Sequence, residues 1–141
     1  MKQRTLARSV SATGVGLHSG ERVALTLHPA APGSGITLRR TDLSGDKGRL
    51  IRLTPDLIND TRLSSTVVTG DGVRFGTIEH IMSALAAYGV DNVLIELNAP
   101  EVPIMDGSSL PFLYLLQEAG IVEQDAEKRF LRIRKTIEVR Q

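Results

Sequence analysis

No cysteine occurs among the 141 residues. Its absence excludes a disulfide framework and a thiolate zinc site, and leaves His, Asp and Glu as the strong metal ligands the chain can offer. A reducing cytoplasm suits such a composition. Excess charge of either sign is also missing: 17 basic and 16 acidic residues give a net charge of +1. No broad electrostatic field is therefore available to hold nucleic acid or an anionic membrane surface. Long apolar runs are absent too. The N-terminal MKQRTLARSV has basic residues but no apolar stretch of signal-peptide length, and nothing later approaches the ~18 apolar residues of a membrane span. The sequence reads as a soluble, unexported protein without a transmembrane segment. What is present is 41% hydrophobic, enough for one compact domain with a real core.

Val23, Leu25 and Leu27 alternate with Arg22, Ala24, Thr26 and His28, the period-two signature of a strand with one buried face. Residues 6–12 supply a partner strand, and GVGLHSG at 14–20 supplies glycines that tolerate a tight reversal, so the first 28 residues predict a hairpin. Residues 36–40 add a third strand, 41–49 read as a polar loop, and short strands fit 50–53, 65–68 and 73–75. Ile78, Ile81, Met82 and Leu85 then form one apolar stripe on a helix that starts near Gly76 or Thr77 and stops at Gly89. Residues 93–97 read as a buried strand. A second helix follows, capped by Ser108 or Ser109, with Pro111 in its first turn and Gly120 at its end. Leu131, Ile133, Ile137 and Val139 alternate with no turn signal to close them. We therefore expect a first domain over 1–126 and, over 127–141, a linker and the first strand of a truncated second domain, with the acidic EQDAEK at 123–128 marking the join. A terminal strand pairing with the first sheet is the alternative.

Glu79 and His80 fall in the first turn of the first helix, where the helix dipole favours a carboxylate and disfavours an imidazolium, leaving the imidazole free to bind metal. Water attacking an amide beside a metal needs a neighbouring carboxylate to accept its proton. A solvated Glu-His pair at a helix start is the competing reading, and no HExxH spacing accompanies it. His18 sits in the glycine-rich turn, where a ligand can approach closely or where the residue simply tips a hairpin. That turn is no Walker-type cradle, because no Lys-Ser/Thr pair follows the glycines and a strand, not a helix, comes next. His28 reads as a solvated or edge position without a role. Asp106 with Gly107 reads as a turn leading into the second helix, and Asn98 and Glu101 as organisers of a Pro-rich loop. RLSST at 62–66 permits ligand contact without indicating it.

Taken in order, KQRTL at 2–6, ATGVGLHSG at 12–20, TIEH at 77–80 and NAPEVPIMDGSSLPF at 98–112 resemble the UDP-3-O-acyl-N-acetylglucosamine deacetylases of lipid A synthesis in Gram-negative bacteria. The resemblance runs over essentially the whole chain. It implies an α+β fold, a two-layer sandwich in which a mainly antiparallel or mixed sheet packs on two helices. It further implies two such domains meeting through their helical layers, with a single Zn2+ at their interface. The family's first-domain zinc ligand falls on His80 and its general base on Glu79. His18 matches a histidine near the site, and Leu63 and Ser64 match a segment lining the substrate passage, where the family often has a cysteine near Ser64. The remaining ligands, a His and an Asp spaced as HxxxD, and the general-acid His belong to the family's second domain. The resemblance thus implies a cytoplasmic zinc amide hydrolase acting on UDP-3-O-acyl-N-acetylglucosamine, with its own C-terminal domain as partner and no appreciable activity in this chain alone. The other class of function is a non-catalytic sugar-nucleotide-binding or regulatory single-domain relative.

Overall fold

Alternate residues of one strand disappear completely from solvent in the computed structural model, which describes residues 1–140. Val23, Leu25 and Leu27 are fully buried while Arg22 and Ala24 are exposed. The elements run β1 (Lys2–Leu6), β2 (Val10–Val15), β3 (Arg22–Pro29), β4 (Ile36–Arg40), β5 (Ile51–Arg52), β6 (Ile58–Asp60), β7 (Thr66–Val68), β8 (Arg74–Phe75), α1 (Glu79–Tyr88), β9 (Val93–Leu97), α2 (Leu110–Ala119) and β10 (Ile121–Glu127). The main sheet has the order β2-β3-β9-β4-β5, mixed because β4 runs parallel to β9 while the other neighbours are antiparallel. Its buried residues, among them Leu25, Leu38 and Ile95, share one core with Ile81 and Leu85 of α1 and with Phe112 and Leu116 of α2. The α+β two-layer sandwich expected from the sequence is what is found. A small sheet β6-β7-β8 precedes α1, and β1 pairs with β10.

Both helices end on glycine. Gly89 adopts φ 63°, a left-handed geometry that closes α1 without the penalty of a β-carbon, and its amide bonds to the carbonyls of Ala86 and Leu85. At the start of α2, the Leu110 amide donates to the Ser108 hydroxyl (3.1 Å), and Pro111 occupies the first turn. The Asp106 side chain accepts the Ser108 amide (2.8 Å) and hydroxyl (2.7 Å), with Gly107 at φ 84°. This is the turn anticipated for that pair.

Three sequence expectations need correction. The partner strand placed at 6–12 is divided, since β1 ends at Leu6 and β2 begins at Val10. The acidic stretch 123–128 is not a linker: through Glu127 it lies in β10, paired with β1. Its charges are cross-strand partners of the basic N-terminus, with Lys2 3.0 Å from Asp125 and 3.3 Å from Glu127, so a run that looks solvated by itself is neutralised from more than a hundred residues away. Finally, residues 128–140 form neither helix nor strand, and Leu131 and Val139 stand 92% and 91% exposed. Pairing of this alternating segment with the first sheet is therefore not observed.

Candidate functional site at the start of the first helix

The helix carrying Glu79 and His80 begins without a capping side chain, because its N-cap residue is Ile78. The neighbouring loop does the capping instead. The Ile78 amide donates to the Ser65 carbonyl (3.1 Å), and the Glu79 carboxylate accepts the Ser65 amide (3.0 Å). This reciprocal pair satisfies one orphan donor of the helix and fixes Glu79 where the helix dipole favours an anion. His80 follows, half-buried, with no side-chain hydrogen bond among the described residues. Asp106 lies within its electrostatic reach: the hydroxyl and amide of Ser108 chiefly hold the Asp106 carboxyl below its usual range, and His80 adds to that.

Beside this helix start is an open cleft of about 370 Å³, walled by His18, Ser64, Arg62, Arg74 and Glu101 among others. His18 and Ser64 thus share one cavity. Glu79, His80 and Leu63 do not line it; Glu79 reaches its edge through Ser65, next to Ser64. Leu63 is 91% exposed at φ 65°, an apolar side chain held in solvent by a left-handed backbone that a non-glycine residue adopts only at a cost. Thr77, also with positive φ (54°), is a β-branched residue buried two positions before Glu79. Backbone strain is therefore concentrated on both sides of the candidate site. His28 is elsewhere, half-buried and not on an edge strand. It lies on β3, between β2 and β9, with Nδ1 2.8 Å from the Ser9 hydroxyl and Nε2 2.7 Å from Glu96.

Sequence reasoning missed the charged wall of the cleft. Asp60 bonds to Arg74 (2.9 Å) and lies 3.4 Å from Arg62. Arg74 first, then Arg62, hold its carboxyl down to about 2. Lying in β6 and β8, either side of β7, the pair leaves no local signature. Because the folded-state value is depressed, this pairing contributes above the usual aspartate value of 3.8 and is lost as pH falls through about 2. Carboxyl-carbon NMR should accordingly give an Asp60 midpoint near 2, and Arg74→Ala should return it toward 3.8. A wild-type midpoint near 3.8 would show that the guanidinium does not engage it.

Among the described residues no group of three or more His, Cys, Asp or Glu is placed to hold a metal ion. His80 offers one accessible donor, whereas a catalytic zinc normally takes three protein ligands, so these residues fit one corner of a zinc site and not the whole. Nor is any described helix long and apolar enough to cross a membrane.

Residues 3–141 match the family described as UDP-3-O-acyl N-acetylglycosamine deacetylase. A UDP-3-O-acyl-N-acetylglucosamine deacetylase of Neisseria meningitidis is 74% identical over 141 residues, covering 100% of this chain but 46% of the relative. The corresponding proteins of Neisseria gonorrhoeae and Chromobacterium violaceum are 72% and 60% identical, with 46% and 44% of their lengths covered. The chain spans about half the length of the curated relatives it matches. With a family match over nearly every residue and identity this high, the chain belongs to the UDP-3-O-acyl N-acetylglycosamine deacetylase family.

Proposed function

We propose that this chain is the N-terminal half of a zinc-dependent deacetylase that hydrolyses the acetamido group of UDP-3-O-acyl-N-acetylglucosamine, a step of lipid A biosynthesis in the cytoplasm. The observation that carries the proposal is Glu79, fixed by the Ser65 amide at the start of α1 next in sequence to a histidine whose ring makes no hydrogen bond among the described residues, in a chain matching this family. Glu79 accepts the proton of the attacking water, which must approach its carboxylate at the edge of the cleft to within hydrogen-bond reach. His80 supplies one zinc ligand. Zinc, when bound, supplies Lewis-acid polarisation of the amide carbonyl. His18 and Ser64, on the cleft wall, and Leu63, projecting from the adjoining loop, contact the substrate.

In this reading residues 1–126 are the first domain and 127–141 lead into the second, which brings the remaining ligands. The exposed alternation of Leu131, Ile133, Ile137 and Val139 supports a strand that acquires its cover from that domain. This half by itself is inactive, because one ligand does not hold the metal. The test is the full-length protein with UDP-3-O-acyl-N-acetylglucosamine. Acetate and free amine are expected to form in equal amounts, and a folded, zinc-loaded protein that releases neither would refute the assignment.

A further inference from the structure

Of the side chains around the cleft, the one with most partners has been given no part in the chemistry. Glu101 is 4% exposed, and burying a carboxylate is costly unless donors surround it. Here they do. Oε1 accepts the amides of Ser19 (2.7 Å) and His18 (3.0 Å), while Oε2 lies 3.3 Å from the His18 amide and accepts the Thr77 hydroxyl at 3.3 Å. Two consecutive backbone N–H groups aimed at one anion form a nest, with the carboxylate supplied from within the chain. Burial works against the charge, yet the Ser19 and His18 amides and the Thr77 hydroxyl hold the carboxyl below its usual range.

The backbone shows the same design. Gly76 donates to the Pro100 carbonyl (2.8 Å) and accepts the Val102 amide (2.9 Å), so the residue bearing the carboxylate is stitched to the segment entering α1. Gly16 explains one glycine of GVGLHSG: a β-carbon there would fall 2.1 Å from Glu101 Oε1. His18, in contrast, is exposed and its ring has no hydrogen-bond partner among the described residues. Where that imidazole stands is therefore decided by its backbone.

We infer that Glu101 is a positioning residue which fixes the His18 turn against the start of α1, holding the turn's amides on one side and Thr77 on the other. The inference rests on the reading of His18 as a substrate contact. Glutamine at 101 keeps one acceptor but turns an NH2 group toward donors, so Glu101→Gln releases the turn with little change of volume.

The experiment compares wild type, His18→Ala, Glu101→Gln and the double variant in the full-length zinc-loaded protein. Steady-state deacetylation is measured together with amide hydrogen exchange. Glu101→Gln should lower kcat/KM about tenfold or more, the range expected for losing hydrogen bonds to a charged group, and mainly through KM. The double variant should be no worse than the poorer single one, because Glu101 acts through His18. The His18 and Ser19 amides should exchange about tenfold or more faster, with the amides of β3 and β9 unchanged. Additive losses in the double variant, or unaltered exchange at residues 18 and 19, would overturn the inference. Should Glu101→Gln not fold, Glu101→Asp gives a second route, because it keeps the charge but withdraws the carboxylate from the turn by one methylene: the same loosening supports the inference, and unaltered exchange defeats it. Absence of deacetylation by the wild-type protein would instead defeat the proposed function, and the exchange result would then decide the anchoring alone.

Discussion

Glu79→Gln is expected to cut acetate release by the full-length protein about 10²–10⁴-fold, the range general-base catalysis supplies, without disturbing the fold. The two halves of this expectation come from different atoms. In the fold the Glu79 side chain accepts the Ser65 amide, at 3.0 Å, a bond the glutamine carbonyl oxygen also accepts. Loss of the charge at the helix start costs only about 0.3–1 kcal/mol. Catalysis in the proposed mechanism needs a group that takes up a proton, which an amide does not do near neutral pH. Acetate release, read beside circular dichroism and zinc content, separates the two. A variant with native fold and metal that keeps more than about a tenth of wild-type activity would remove Glu79 from the role of base. A variant that loses its zinc would shift suspicion to the integrity of the site.

The second large effect concerns stability. Phe112 of α2 is completely buried in the core shared with α1 and the main sheet, so Phe112→Ala should cost about 3–5 kcal/mol by loss of apolar burial and creation of a cavity. That is a large part of the ~5–15 kcal/mol that holds a typical domain together. Tyr114, two residues along the same helix and 60% exposed, provides the contrast: Tyr114→Ala should move stability by no more than about 0.5 kcal/mol. Urea denaturation of the 141-residue chain and both variants measures this. Equal losses at the two positions would mean that α2 presents a different face to the core.

Elements whose evidence is local were legible from the sequence. Val23, Leu25 and Leu27 announce β3 by alternation, and Ile78, Ile81, Met82 and Leu85 announce α1 by a stripe of which all but the half-buried Met82 are fully inside. Gly89 and Gly120 mark the helix ends as expected. The placement of Glu79 and His80 in the first turn of α1 was equally readable. The cleft was not, because its walls come from separate stretches of the chain, among them His18, Asp60, Ser64, Arg74 and Glu101, which only the completed fold assembles. The same limitation produced the misreading of β10: its acidic residues look like a solvated join until the basic β1 is brought alongside. Left-handed backbone at Leu63, Thr77 and Met105 was invisible for another reason. None of these is a residue type that adopts it willingly, so no local preference announces it. Glu101 was identified as an organiser of its loop. What it organises is a turn more than eighty residues earlier.

The central claim, that this chain is one of two complementary halves of a deacetylase site, is tested most directly by acetate release from UDP-3-O-acyl-N-acetylglucosamine with zinc supplied. The assay compares the 141-residue chain, a separately prepared second half, and the two mixed. Activity is expected in the mixture only, and not when the chain carries Glu79→Gln. Turnover by the 141-residue chain alone would contradict the requirement for ligands from elsewhere. Silence of the mixture, with both halves folded and bound to each other, would contradict the deacetylase reading and favour a binding or regulatory module.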